Sequence, residues 1–182
     1  CSSDLHEGLA RQFADHSIER AYFAVTAGQP VPAAGTVRGA IARSITNRKK
    51  MALVEDGPQG QTRGKHAVTH YRTLEPLDGA ALVECRLETG RTHQVRVHLA
   101  SIGHALVGDP VYGRTPPRLR PLLQQLGFAR QALHAVVLGF IHPVSGTALR
   151  FVSPAPQDMQ ELLEQLGSKV GASTIGKEMR SG

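Results

Sequence analysis

The run LETGRTHQVRVH, from Leu87 to His98, places Glu88, Arg91, His93, Arg96 and His98 within twelve residues, and Gly108-Asp109-Pro110-Val111-Tyr112-Gly113 follows shortly after. Read as a strand end, a glycine turn and a helix start, it sets helix N-terminal N–H groups beside two guanidiniums. That arrangement suits a phosphate or a carboxylate. A solvated helix face would account for either arginine taken alone. Other chemistries lack their parts. His66 and His70 lie four apart, but in a strand-like run without the further His or Cys that a zinc site needs. A nucleophile elbow G-x-S-x-G does not occur. Spacing singles out no carboxylate pair for glycoside chemistry.

The elements that must hold this run follow from periodicity and punctuation. Leu5, Leu9 and Phe13 recur every four residues, and Asp4 and Glu7 have capping-box spacing, so an amphipathic helix is expected to end near His16. Strands are expected at Ala21–Thr26, Thr36–Ser44, Ala67–Leu74, Ala81–Leu87, Leu133–Ile141 and Thr147–Val152, the last two joined by a turn at Pro143-Val144-Ser145-Gly146. Val95, Leu99 and Ile102 mark one face of a short helix, with Thr92 as its expected N-cap and Gly103 as its stop. Further helices are expected at Leu119–Leu126 and Met159–Leu166, before a Gly- and Ser-containing tail over 167–182 that is expected to be disordered. Strands with irregularly interspersed helices predict an α+β domain rather than a doubly wound sheet.

The length of 182 residues favours one domain with one sizeable core. Apolar residues make up 41% and charged residues 20%, too apolar for disorder, and no apolar run approaches the roughly 18 residues of a membrane span. Cys1 and Cys85, without metal or disulfide spacing, fit a reducing compartment, and the cytoplasm is the expected location. Net charge is +6, and Thr36–Arg72 carries all of it, with eight basic residues against Glu55 and Asp56. This basic arm, with Arg48, Lys49, Lys50 and Lys65 as candidate contacts, points to a polyanion. A second basic stretch, Arg114, Arg118, Arg120 and Arg130, contains no acid. The plain alternative is a solvated charged loop.

The longer run LETGRTHQVRVHLASIGHALVGDPVYG resembles the signature of the RluA-type RNA pseudouridine synthases. ERAYFAV from Glu19, GKHAVTHY from Gly64, RQALHA from Arg130, FIHP from Phe140 and RFVSPAP from Arg150 extend the resemblance over roughly residues 7–166. It implies an α+β catalytic domain on a bent, mostly antiparallel mixed sheet with flanking helices and a central RNA-binding cleft. It also implies isomerisation of uridine to pseudouridine in structured RNA, ribosomal or transfer RNA, using neither metal nor organic cofactor; a monomer is expected. Tyr22 matches the family's active-site tyrosine, set against the target base. Arg96 matches the arginine that pairs with the catalytic aspartate; a guanidinium fork both places a carboxylate and keeps it ionised. Arg91 and His93 either contact RNA or brace the turn, whereas Asp109 and Tyr112 are expected to shape the loop after the helix.

One part of the family pattern is not in this chain: the HRLD-x-x-TSG motif that carries the catalytic aspartate upstream of the first helix. The expectation is therefore a partial catalytic domain over 6–166, inactive alone, with residues 1–5 a non-native start, since they match one translation of a common sequencing adapter. An upstream S4-like RNA-binding domain is left open. The rival from another class is a non-catalytic basic RNA-binding module. A phosphate-binding hydrolase has only the basic helix start in its favour.

Overall fold

Glu19–Ala27 is apolar at both odd and even positions, the pattern of a strand covered on two faces. In the computed structural model, which describes residues 2–47, 50–54 and 63–169, it is β1, an interior strand of a seven-stranded sheet. The other elements, in chain order, are α1 Ser2–Ala14, β2 Ala34–Arg43, β3 Met51–Val54, β4 Lys65–Leu77, β5 Ala80–Leu87, α2 Gln94–Ser101, α3 Arg120–Gln125, β6 Leu133–Ile141, β7 Ala148–Val152 and α4 Gln157–Gln165. A 3-10 turn, Pro117–Leu119, leads into α3. The strands lie in the order β3-β2-β4-β5-β1-β6-β7, and each pairing between neighbours is antiparallel. The α+β architecture expected from the sequence is the one observed.

The two faces of β1 go to two cores. Ala21, Phe23 and Val25 join Leu82 of β5, Leu123 of α3 and Met159, Leu162 and Leu163 of α4. Ala24, with the partly buried Tyr22 beside it, joins Tyr71, Val83 and Cys85 on the opposite face, where Val95 and Leu99 of α2 cover them. A third cluster, Ile41, Ala67 and Val97, packs with Met51, Leu53 and Tyr112 and ties the β2–β3 edge to α2. The sheet thus presents Tyr22 to the side on which α2 lies.

Four expectations need correction. β3 was not anticipated: it is only four residues long, and Met51 is anchored by a contact distant in sequence, its N–H donating to the Tyr112 hydroxyl at 2.7 Å. Thr92 is not the N-cap of α2; His93 holds that position with φ of 58°, and no side chain caps the helix. Asp4 lies within the first turn of α1, not ahead of it. The chain also continues past the expected start of a free tail at Gly167, because Ser168 Oγ and the Lys169 N–H both donate to the Glu75 carboxylate. Arg48, Lys49 and the tail from 170 onward lie outside the described residues.

Candidate active site

Tyr22 reaches its place through an irregularity in the sheet. Ala21 pairs with Val137 of β6 but Tyr22 pairs with Ala135, so a bulge falls immediately before the tyrosine. Bulges of this kind re-aim side chains at the edge of a site. The Tyr22 ring packs at the margin of the second core, and its hydroxyl has no hydrogen-bond partner among the described residues. It lines a cavity of about 260 Å³ together with Leu87, Arg91, His93, Gln94, Val95, Arg96, Gln131 and Leu133. The structure therefore brings Tyr22, Arg96, Arg91 and His93 into one cavity from strands and turns far apart in sequence. Lys65 lies in a neighbouring cavity whose wall is also formed by Arg91. Lys50 lines neither cavity.

Arg96 is the most firmly held of these groups. Its Nε and Nη2 donate to Oδ2 and Oδ1 of Asp109, both at 2.8 Å, and both residues are buried. Its guanidinium also lies over the Tyr112 ring, 4.8 Å from the centroid. The hydrogen bonds to Asp109 hold Arg96 above its ordinary range, against the opposing effect of burial. Burial pushes the Asp109 carboxyl upward, but Arg96 and the N–H groups of Val111 and Tyr112 together outweigh it, so Asp109 lies below the usual carboxylate range. Asp109 does shape its loop, as expected, through those two N–H groups at 2.8 and 3.1 Å. It also occupies one edge of the arginine fork, a contact that the motif alone did not indicate.

His93 and Tyr112 connect the turn to the sheet edge. His93 Nδ1 is 2.8 Å from the Tyr112 hydroxyl, which also accepts the Met51 N–H. Burial, with Arg96 adding to it, lowers the His93 imidazole below its ordinary range; Asp109 opposes both. Arg91 donates from Nε to the His66 carbonyl at 3.0 Å, leaving its Nη groups without a partner among the described residues. Arg20, two residues before Tyr22 on the same strand, is buried beneath the turn: its Nη2 donates to the Glu88 carbonyl and its Nε has no partner. A Cβ at Gly90 would lie 2.2 Å from Arg20 Nη1, so a side chain there would require the guanidinium to shift.

Gln94 is the residue that motif reading passed over. Its buried amide oxygen accepts from Thr89 Oγ1 and from the Arg91 N–H, while its nitrogen donates to the Val68 carbonyl and to Thr69 Oγ1. The first two contacts close the turn on itself, and the last two tie it to β4. Gln131 and Leu133 were also overlooked as cavity walls, although both fall in the RQALHA run; Leu133 is set there by its pairing with Ala24 of β1, and Gln131 lies two residues before it. Among the described residues no group of three or more His, Cys, Asp or Glu side chains could hold a metal ion.

Residues 2–101 match the family described as RNA pseudouridylate synthase. A "Ribosomal large subunit pseudouridine synthase D" of Zymomonas mobilis is 60% identical over 161 residues, which cover 88% of this chain and 49% of the relative. An "RNA pseudouridine synthase 2, chloroplastic" of Arabidopsis thaliana is 41% identical, over 87% of this chain and 40% of the relative. Among solved structures, "Human RNA Pseudouridylate Synthase Domain Containing 4" superposes with a TM-score of 0.72 and 28% identity, over 90% of this chain and 67% of that one. The chain spans about half the length of the curated relatives it matches. With the family's sequence pattern extending through the β1 strand and the turn that together wall the Tyr22 cavity, this chain belongs to the RNA pseudouridylate synthase family.

Proposed function

We infer that this chain is the larger part of a catalytic domain that isomerises uridine to pseudouridine in structured RNA, with ribosomal RNA the favoured substrate. One observation carries the reading: Tyr22 and Arg96 face one cavity with room for a single nucleoside. A glycosidic bond inside folded RNA can be reached only if its base leaves the stack, and an aromatic wall beside a guanidinium suits an extruded pyrimidine. Isomerisation breaks the bond from C1′ to N1, turns the uracil, joins C1′ to C5, removes the C5 proton and restores one at N1. Tyr22 is assigned to the base side of that exchange. Its free hydroxyl can move a proton at C5.

The carboxylate needed at the anomeric carbon comes, in this reading, from an HRLD segment upstream of α1. Arg96 positions it with the guanidinium edge that Asp109 does not occupy. Arg91, His93, Lys65, Lys50, Arg48 and Lys49 are assigned to RNA contact. The relative named for the large ribosomal subunit supports ribosomal RNA over transfer RNA. A non-catalytic RNA-binding module would need no tyrosine facing a nucleoside-sized cavity.

The test is tritium release from 5-tritiated uridine in bulk ribosomal and transfer RNA by the protein extended with its upstream segment. Tyr22→Phe should retain RNA binding while lowering turnover by about 100-fold, the scale of a lost proton-transfer group. Turnover equal to the parent would restrict Tyr22 to stacking. No release by the extended parent would remove the proposed activity.

A further inference from the structure

Beside the nucleoside cavity lies a second one of about 370 Å³, lined by Arg43, Arg63, Lys65, Gly90, Arg91 and Thr92 with apolar residues of β2 and β3. No carboxylate lines it among the described residues. Arg63 and Lys65 are exposed and have no hydrogen-bond or ion-pair partner there. Arg91 is fixed through its Nε to the His66 carbonyl, so its Nη edge is held in place before any ligand arrives. Thr92 lines the same wall, one residue before the α2 N-cap at His93. Several arginines elsewhere are already paired: Arg72 with Glu84, Arg86 with Glu84 and Glu19, Arg130 with Asp158, Arg150 with Glu19. Among the described residues, the absence of carboxylates therefore distinguishes this cavity from the sheet around it.

Arg91 lines both cavities. Whatever fills the second lies within reach of the same side chain as the nucleoside in the first. We propose that the second cavity, held by Arg63, Lys65, Arg91 and Thr92, is a subsite for a backbone phosphodiester on the strand that delivers the target uridine. This rests on the RNA reading above. It adds that a diester is gripped at a fixed place rather than by diffuse attraction. Because both cavities share the Arg91 wall, the grip sets how far along the strand the extruded base can lie.

The experiment uses the 182-residue chain and a labelled RNA hairpin with one loop uridine, with binding followed by anisotropy from 50 to 200 mM KCl. Each phosphate neutralised contributes about 0.7 to 0.9 to the slope of log affinity against log salt, so Arg63→Ala/Lys65→Ala should lower the slope by about one to two units. Affinity at about 100 mM salt should fall roughly tenfold or more. Both residues are exposed, and circular dichroism verifies that the variant is folded. Arg150→Ala, on β7 at the opposite edge of the sheet from β2 and β3 and paired with Glu19, should leave the slope unchanged. A neutral methylphosphonate beside the loop uridine should lower the slope by about one unit for the parent and by less for the Arg63/Lys65 variant.

If the parent binds RNA and the Arg63/Lys65 variant keeps its slope, the subsite is wrong and the RNA reading stands. If the parent shows no salt-dependent RNA binding, the RNA reading itself fails and takes the subsite with it. Calorimetric titration with inorganic phosphate alone separates the two sources of a phosphate group. Binding at micromolar concentration would assign the cavity to the free ion and overturn the diester proposal.

Discussion

Arg96 and His98 lie two residues apart on α2 and solve opposite electrostatic problems. Removing two ions from water costs several kcal/mol for each, which a two-pronged contact such as Arg96–Asp109 offsets when the geometry is good. His98 has no such partner. It is fully buried, its Nδ1 lies 2.9 Å from Thr69 Oγ1, and its Nε2 is unpaired. Burial, with His66 nearby, pushes the imidazole from 6.5 down to about 4. The unfolded chain therefore takes up this proton first as pH falls. Stability from this group is complete above about pH 6.5 and is lost as pH drops toward 4, by about 3 kcal/mol at the lower limit. Urea unfolding from pH 7 to 4.5 should show a shallower decline for His98→Gln than for the parent. Parallel curves would place the acid sensitivity elsewhere.

At the level of elements, the turn between β5 and α2 depends on one buried amide. Replacing Gln94 by Leu takes the acceptor from the Thr89 hydroxyl proton and from the Arg91 N–H, while Thr89 Oγ1 still accepts the Val68 N–H and the Val68 carbonyl still accepts the Glu88 N–H; each group left unsatisfied costs about 1 to 3 kcal/mol. Gln94→Leu should therefore lower unfolding stability by at least about 2 kcal/mol and weaken RNA binding through a loosened Arg91; loss of less than about 0.5 kcal/mol would show that solvent replaces those contacts. Periodicity and punctuation were enough to locate β1, β5, β6 and α4 within a few residues, because Gly, Pro and Asp bound the apolar strand runs and Met159, Leu162, Leu163 and Leu166 repeat at the helical period. They were not enough for β3, whose four residues are placed by pairing with β2 and by the Tyr112 hydroxyl. Tyr22 and Arg96 were legible as motif positions. The Arg96–Asp109 pair, the Gln94 network and the β6 bulge were not, since each depends on which strands become neighbours.

For the whole molecule, the sheet assembles a base-sized cavity and a basic cavity beside it without supplying, within this sequence, the HRLD carboxylate that the family's chemistry uses. Asp109 does not stand in for it. Its carboxylate is buried, Arg96 and two backbone N–H groups hold it in its loop, and it lines neither cavity. Nor can Arg96 replace it, because a guanidinium places and compensates a carboxylate but does not attack an anomeric carbon. The 182-residue chain should bind RNA and release no tritium from 5-tritiated uridine. Adding the upstream segment with its HRLD motif should restore release only when Arg96 is intact. Arg96→Lys in the extended protein keeps the charge but cannot grip Asp109 and a second carboxylate with one planar fork, and a misplaced carboxylate costs on the order of 100-fold in turnover. Thermal unfolding run in parallel separates this from simple loss of fold: the lysine variant should show its turnover loss at temperatures where it is still folded. Multiple-turnover release by the 182-residue chain alone would mean that the carboxylate is already within it, and full activity of the lysine variant would mean that the fork does not position it.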